Sequence, residues 1–169
     1  TTGSYNNAFG SYSLENNETG NSNVGLGSYA LRDNTTGSLN TAVGNNAMGS
    51  SASGSENVAI GSSALYNGDG GYQNVAIGAQ SMYSNTSSYE NTAIGYGSLQ
   101  SITAGYQNLA AGKQALTNLT TGYENVALGF NALRENTTGN GNVVIGSQAG
   151  YVNTDGDRNV FIGYQAGYS

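Results

Sequence analysis

The 169-residue chain has no cysteine, no histidine and no proline, and only four positively charged side chains. Lacking cysteine, it has no disulfide and no thiolate metal site. Lacking histidine, it has no imidazole base or ligand. Most hydrolytic and metal-dependent catalysis therefore has no parts to use, and inventory alone argues against an enzyme and against a cofactor. Arg32, Lys113, Arg134 and Arg158 stand against ten carboxylates, giving a net charge of −6. A surface of that sign repels nucleic-acid phosphates and anionic lipid, so neither is an expected partner.

Long apolar runs are missing too. No stretch approaches the roughly 20 residues that cross a bilayer, and Thr1-Thr2-Gly3-Ser4-Tyr5 has neither the basic nor the apolar region of a signal peptide. No direct membrane contact is expected of this segment, and any targeting or anchoring segment is expected outside it. The repeat starts and stops abruptly, without the polar caps that solenoid ends require, which reads as a fragment of a longer fibrous protein.

What is abundant is glycine, 27 residues of it, and its placement is periodic. Gly10, Gly27, Gly44, Gly61, Gly78, Gly95, Gly112, Gly129, Gly146 and Gly163 recur every 17 residues without a slip. Four positions earlier stand Asn6, Asn23, Asn40, Asn57, Asn74, Asn91, Asn108, Asn125, Asn142 and Asn159. A fixed short period is the mark of stacked repeats, and a Val/Ile/Leu run in each unit argues for order by stacking rather than disorder. The expected fold is all-β: a parallel β-roll or β-solenoid of ten 17-residue coils, forming one repeat domain over residues 1–169.

Within a representative unit, Gly122 to Thr138, Val126-Ala127-Leu128 reads as a core strand buried on both faces, and Ala132-Leu133 as a second, shorter strand. Helix is disfavoured because Gly122 and Gly129 would fall inside it, each costing about 0.5–1 kcal/mol relative to alanine. Both glycine columns read as corners, where φ is positive or a neighbouring backbone comes too close for a Cβ; only Ser88 breaks the earlier one. Asn136-Thr137-Thr138-Gly139 closes the coil as a polar turn.

Stacking turns each repeated position into a ladder. The ten asparagines are the candidate structural ladder, each amide donating to one neighbour and accepting from the other. Val126 and Leu128 point to one face of the strand and Ala127 to the other; a thin coil can enclose only one face, so the chain is expected to associate with copies of itself. Tyr72, Tyr89, Tyr106 and Tyr123 form a column that packs along the coil edge and is the candidate ligand contact; Tyr66, Tyr83, Tyr151 and Tyr168 form a second set. Ala111 in place of Ile or Leu, and Gly150 and Gly167 in place of Leu, are expected to thin the packing locally. Asp155 and Asp157 are weak calcium candidates, short of the spaced series of oxygen ligands such a loop needs. Sequons such as Asn17-Glu18-Thr19, Asn34-Thr35-Thr36 and Asn136-Thr137-Thr138 arise from turn chemistry and carry no weight.

The unit Asn-Val-Ala-Ile-Gly followed by Ser/Gln-x-Ala-Leu resembles the head repeat of trimeric autotransporter adhesins. It is also similar to the Asn/Thr/Gly-rich repeats of phage-type tail fibres, down to Asn159-Val160-Phe161-Ile162-Gly163-Tyr164-Gln165-Ala166-Gly167-Tyr168. The adhesin resemblance implies a left-handed roll, a homotrimer, an extracellular place on a cell surface, and attachment to surface glycans or matrix proteins; the tail-fibre resemblance implies a virion instead. The unit here is 17 residues, longer than the adhesin unit by an extended Asn-Thr-Thr turn. A passive tail-fibre shaft or filament is the alternative. An ice-binding solenoid, suggested by Thr1-Thr2, Thr35-Thr36, Thr120-Thr121 and Thr137-Thr138, comes behind, because adjacent threonines face opposite ways and the columns fail at Ala52, Asp69 and Ala104.

Overall fold

A computed structural model describes residues 2–168, so Thr1 of the first threonine pair lies outside the described residues. Each unit supplies one three-residue strand: β1 Asn7–Phe9, β2 Val24–Leu26, β3 Thr41–Val43, β4 Val58–Ile60, β5 Val75–Ile77, β6 Thr92–Ile94, β7 Leu109–Ala111, β8 Val126–Leu128, β9 Val143–Ile145 and β10 Val160–Ile162. All ten lie in one sheet in sequence order. Every pairing is parallel with a 17-residue register, as in Val58↔Val75 and Ile60↔Ile77. The fold is a parallel β-solenoid, and no helix occurs among the described residues.

The strand differs from the expectation of burial on both faces. Only its middle residue turns inward: Ala42, Ala59, Ala76, Ala93, Ala110 and Ala127 are fully buried, whereas the flanking residues stay partly exposed, Ile60 at 39% and Ile94 at 44%. Alternation along the pleat forces this division, since a coil one sheet thick has room only for alanine behind the strand. Ala111 therefore leaves a notch in the outer face, not in the core.

The second strand expected at Ala132-Leu133 is absent. That segment is a turn in which Leu133 takes φ +54°, and Leu31, Met48, Leu65, Met82, Leu99 and Leu116 take φ between +49° and +52° at the same position. A left-handed residue bends the chain where an extended one would run straight on. The conformation costs about 1–2 kcal/mol, and burying the side chain returns about 1.5–3 kcal/mol, so burial decides the residue type. These leucines and methionines, with the buried alanines beside them, form the core.

The last two coils keep the core filled by a different division of volume. Gly150 and Gly167 stand at the left-handed position without strain, at φ +58° and +61°. Opposite them the inward strand residue grows from alanine to Val144 and then Phe161. A Cβ on Gly167 would come within 2.5 Å of the Phe161 ring, so the ring occupies the space a leucine fills elsewhere. The expected thinning is an exchange of large and small residues across the interior.

The glycine after each of the strands β1 to β9 is required twice over, while Gly163 after β10 shows only the positive φ. Gly78 has φ +133°, and a Cβ there would lie 2.5 Å from the carbonyl oxygen of Gly95 in the next coil. The turn glycines, such as Gly105 and Gly122, show only the close approach. Ser88 fits their column, with its Oγ donating to Asn85 Oδ1 at 2.8 Å. Gly141, by contrast, has φ +65° and its nearest neighbour at 3.4 Å. Gly78→Ala is expected to destabilise the chain by about 3 kcal/mol or more, and Gly141→Ala by about 1 kcal/mol. Urea unfolding of the two variants checks this, and equal losses would remove the steric account of the column.

Candidate functional surface

The asparagine column is the most completely bonded set of side chains. Asn57 Nδ2 donates to Asn40 Oδ1 at 3.3 Å and to the Gly71 carbonyl at 2.9 Å. Its Oδ1 accepts from Asn74 N at 3.0 Å and from Asn74 Nδ2 at 3.1 Å. Two donors and two lone pairs are all used, which is what allows an amide to be buried. The Oδ1 atoms of Asn23, Asn40, Asn74, Asn91, Asn108, Asn125 and Asn142 accept the same two bonds from the next coil. Asn6 Oδ1 accepts from Asn23 N, and Asn159 donates at the far end. These side chains face inward, so they shape the coil and meet no outside ligand.

A second buried column, seven residues after the strand glycine, is mixed. Asn34 donates to Asn17 Oδ1 at 2.8 Å, but Ile102 and Leu119 interrupt the series. Beside the interruption, Asn85 Nδ2 and both amide atoms of Asn136 are buried without partners. Because Asn17, Asn34, Asn85 and Asn136 lie inside the coil, the sequons they begin are closed to glycosylation of the folded chain.

Tyr72, Tyr89, Tyr106 and Tyr123 come together as one stack, with ring centroids 4.9–5.0 Å apart and planes within 2° of parallel. The backbones of Tyr72, Tyr89 and Tyr106 pair as isolated parallel bridges, which fixes the spacing there. Ring faces cover one another, so a ligand meets the hydroxyl edges and the outer faces of the end rings, Tyr72 and Tyr123, which are 43% and 36% exposed. Burial in the stack, and then the neighbouring Tyr123 and Tyr89, push the Tyr106 phenol above its ordinary value of 10.0. Tyr66 and Tyr83 stack at 5.2 Å, and Tyr151 and Tyr168 at 5.3 Å.

Next to the tyrosine stack runs a column that sequence reading overlooked: Glu56, Gln73, Glu90, Gln107 and Glu124, all at positive φ. Gln73 Nε2 donates to Glu56 Oε2 at 3.0 Å, and Gln107 Nε2 to Glu90 Oε2 at 2.9 Å. Alternation keeps one carboxylate from lying against the next, and the E-Q-E-Q-E order at 17-residue spacing was the available signal. On the other side of the strand, exposed Lys113 stands between Tyr96 and Phe130 with its Nζ 5.9 and 6.0 Å from the two ring centroids.

The remaining candidates are occupied by local bonds. Asp157 Oδ1 accepts from Asn140 N at 2.7 Å and Asn140 Nδ2 at 3.1 Å, while Asp155 Oδ1 meets only Thr154 Oγ1 at 3.4 Å. No group of three or more acidic side chains suited to a metal occurs among the described residues. The threonines of the long turn bond axially: the Oγ1 atoms of Thr103, Thr120 and Thr137 donate to the carbonyls of Thr120, Thr137 and Thr154. Those hydroxyls spend their one proton on holding coils together. Arg32 and Asp33 pair on the surface, and that guanidinium, with Asn16, holds the Asp33 carboxyl below its usual range. The open depressions lie along Glu15, Asn16 and Asp33 and at the end coils near Phe9 and Phe161.

No family model, curated protein or solved structure matches the chain. Its class is defined by geometry, as a repeat protein of parallel β-solenoid type with side-chain ladders inside and out.

The two buried asparagine columns respond differently to the same change. Asn91→Leu removes the acceptor of two bonds and leaves Asn74 and Asn108 facing an apolar side chain, at an expected loss of about 2–4 kcal/mol. Asn136→Leu deletes an amide with no partners beside Leu119 and is expected to be neutral or stabilising by about 1 kcal/mol. Thermal unfolding compares the two directly; equal losses would show that column position, not bonding, sets the effect.

Proposed function

We propose that the chain is an extracellular structural and adhesive fibre module of a cell surface or virion, which self-associates as a homotrimer or other homo-oligomer and attaches to surface glycans or matrix proteins. The observation that carries this reading is the division of labour among the columns. Buried side chains bond or pack against the coils above and below, while Glu, Gln, Lys and Tyr, present in only some coils, stand on the exterior where a partner reaches them. Such a rod acts by binding or spacing. Weak contacts repeated along it, and again on each copy, multiply affinity by roughly 10²-fold or more without a deep pocket.

A passive spacer, such as a tail-fibre shaft, is the second reading. It is favoured by the closed ring faces of the tyrosine stack, which leave only edges along most of its length. Glycan and matrix-protein arrays separate the two readings when probed with the multimeric chain and with a variant carrying serine at positions 72, 89, 106 and 123. The adhesive reading expects binding that falls at least about tenfold in the variant. Undiminished binding would assign the tyrosines to edge packing, and no binding to any array would leave the spacer.

A further inference from the structure

The outer face of the sheet is mostly aliphatic, with Asn7, Thr41 and Thr92 as its polar breaks and Phe9 in its first strand. Its two outward columns contain Val58, Ile60, Val75, Ile77, Ile94, Leu109, Val126, Leu128, Val143 and Ile145, and no charged residue occurs at either column in any coil. Val58, Val75, Leu109, Val126 and Leu128 are half-buried, and Ile60, Ile77, Ile94, Val143 and Ile145 are exposed, from Ile77 at 36% to Ile94 at 44%. A contiguous apolar patch of this size is as large as the largest that single folded chains ordinarily leave in water, and such patches commonly mark a contact surface. Its partner must match a comb of side chains repeated once per coil, and a second copy of the chain has that spacing by construction.

Size and charge determine how the copies meet. The three-residue strands give a face about 10 Å wide and about 48 Å long, roughly 480 Å² per copy. A stable interface takes about 800 Å² per partner, so the two corners bounding the strand must join the contact. One corner carries Glu56, Glu90 and Glu124, with Arg158 in the last coil; the other carries Lys113. Turning one copy end over end keeps the strand direction and sets the glutamate corner against itself. Rotating it about an axis along the solenoid reverses the strand direction, and each glutamate corner then meets the lysine corner of the other copy. Level coils put Lys113 opposite Gln107, between Glu90 and Glu124.

Resting on the fibre-module reading, we infer that copies of this chain pack through the Val/Ile face about an axis parallel to the solenoid, with coils level and Lys113 of one copy between Glu90 and Glu124 of the next. The apolar columns hold the copies, and the corner charges set direction and level, the role charge pairs commonly have at an interface.

Sedimentation equilibrium of the chain and its variants tests this. The unaltered chain is expected to be an oligomer at micromolar concentration, and Ile77→Lys a folded monomer by circular dichroism. The corner variants keep the test sound should Ile77→Lys unfold, since their side chains are exposed. Lys113→Glu is expected to weaken association about tenfold or more, and adding Glu90→Lys and Glu124→Lys to restore it. Spin labels on Asn140→Cys, in the ninth coil, should give a label-to-label distance near the width of the assembly. A distance approaching its length, or a charge swap with no effect in a chain that still associates, overturns the parallel level packing and leaves the fibre reading intact. A monomer that still binds on the arrays overturns the interface alone; a monomer that binds nothing removes both.

Discussion

The amide-to-amide bond between equivalent asparagines of successive coils is the constraint from which the rest of the structure follows. An asparagine amide buried singly in so thin an interior would leave donors and acceptors unpaired, at about 1–3 kcal/mol each. Stacked on copies of itself it is satisfied, and it also accepts from the backbone N–H of the next coil. The solution works only if every coil has the same length and places its asparagine at the same height. That requirement explains why insertions are missing and why glycine, which lets adjoining backbones approach, is retained beside it.

Once the asparagine and glycine columns are set, inside and outside are assigned by alternation. Alanine fills the space behind the strand, and leucine or methionine in left-handed turns fills the rest. The larger β-branched residues are left facing out. A chain with little charge would carry those aliphatic columns into solvent along most of its length, so the thin core and the proposed self-association are two results of one geometry. Polar ladders at the corners, glutamate alternating with glutamine and threonine bonding to the next turn, extend axial bonding to the surface.

Much of this was legible in the sequence because periodicity transmits it directly. The 17-residue recurrence of Asn57 and Gly61 sets coil length, parallel pairing and stacking, and the split between Ala127 and its neighbours follows from the two-residue pleat. The misreadings share one cause. Ala132-Leu133 looks like a strand because apolar pairs are ordinarily extended, and nothing in a leucine announces φ +54°. Its signal was the glycine at positions 150 and 167, which shows that the column tolerates a left-handed residue. The tyrosine column was visible as a column, but the orientation of its rings, face to face along the axis, came only with coordinates.

Amide hydrogen exchange tests the central claim most directly, because the asparagine column predicts protection where no strand is assigned. The backbone N–H groups of Asn40, Asn57, Asn74, Asn91, Asn108 and Asn125 are bonded to side-chain oxygens and lie one residue before their strands. They are expected to exchange as slowly as Val58, Val75 and Val126 within the strands. Exchange of the asparagine amides at the rate of the exposed turn residues, with the strand amides still protected, would contradict the account: the solenoid would then be held by its sheet alone.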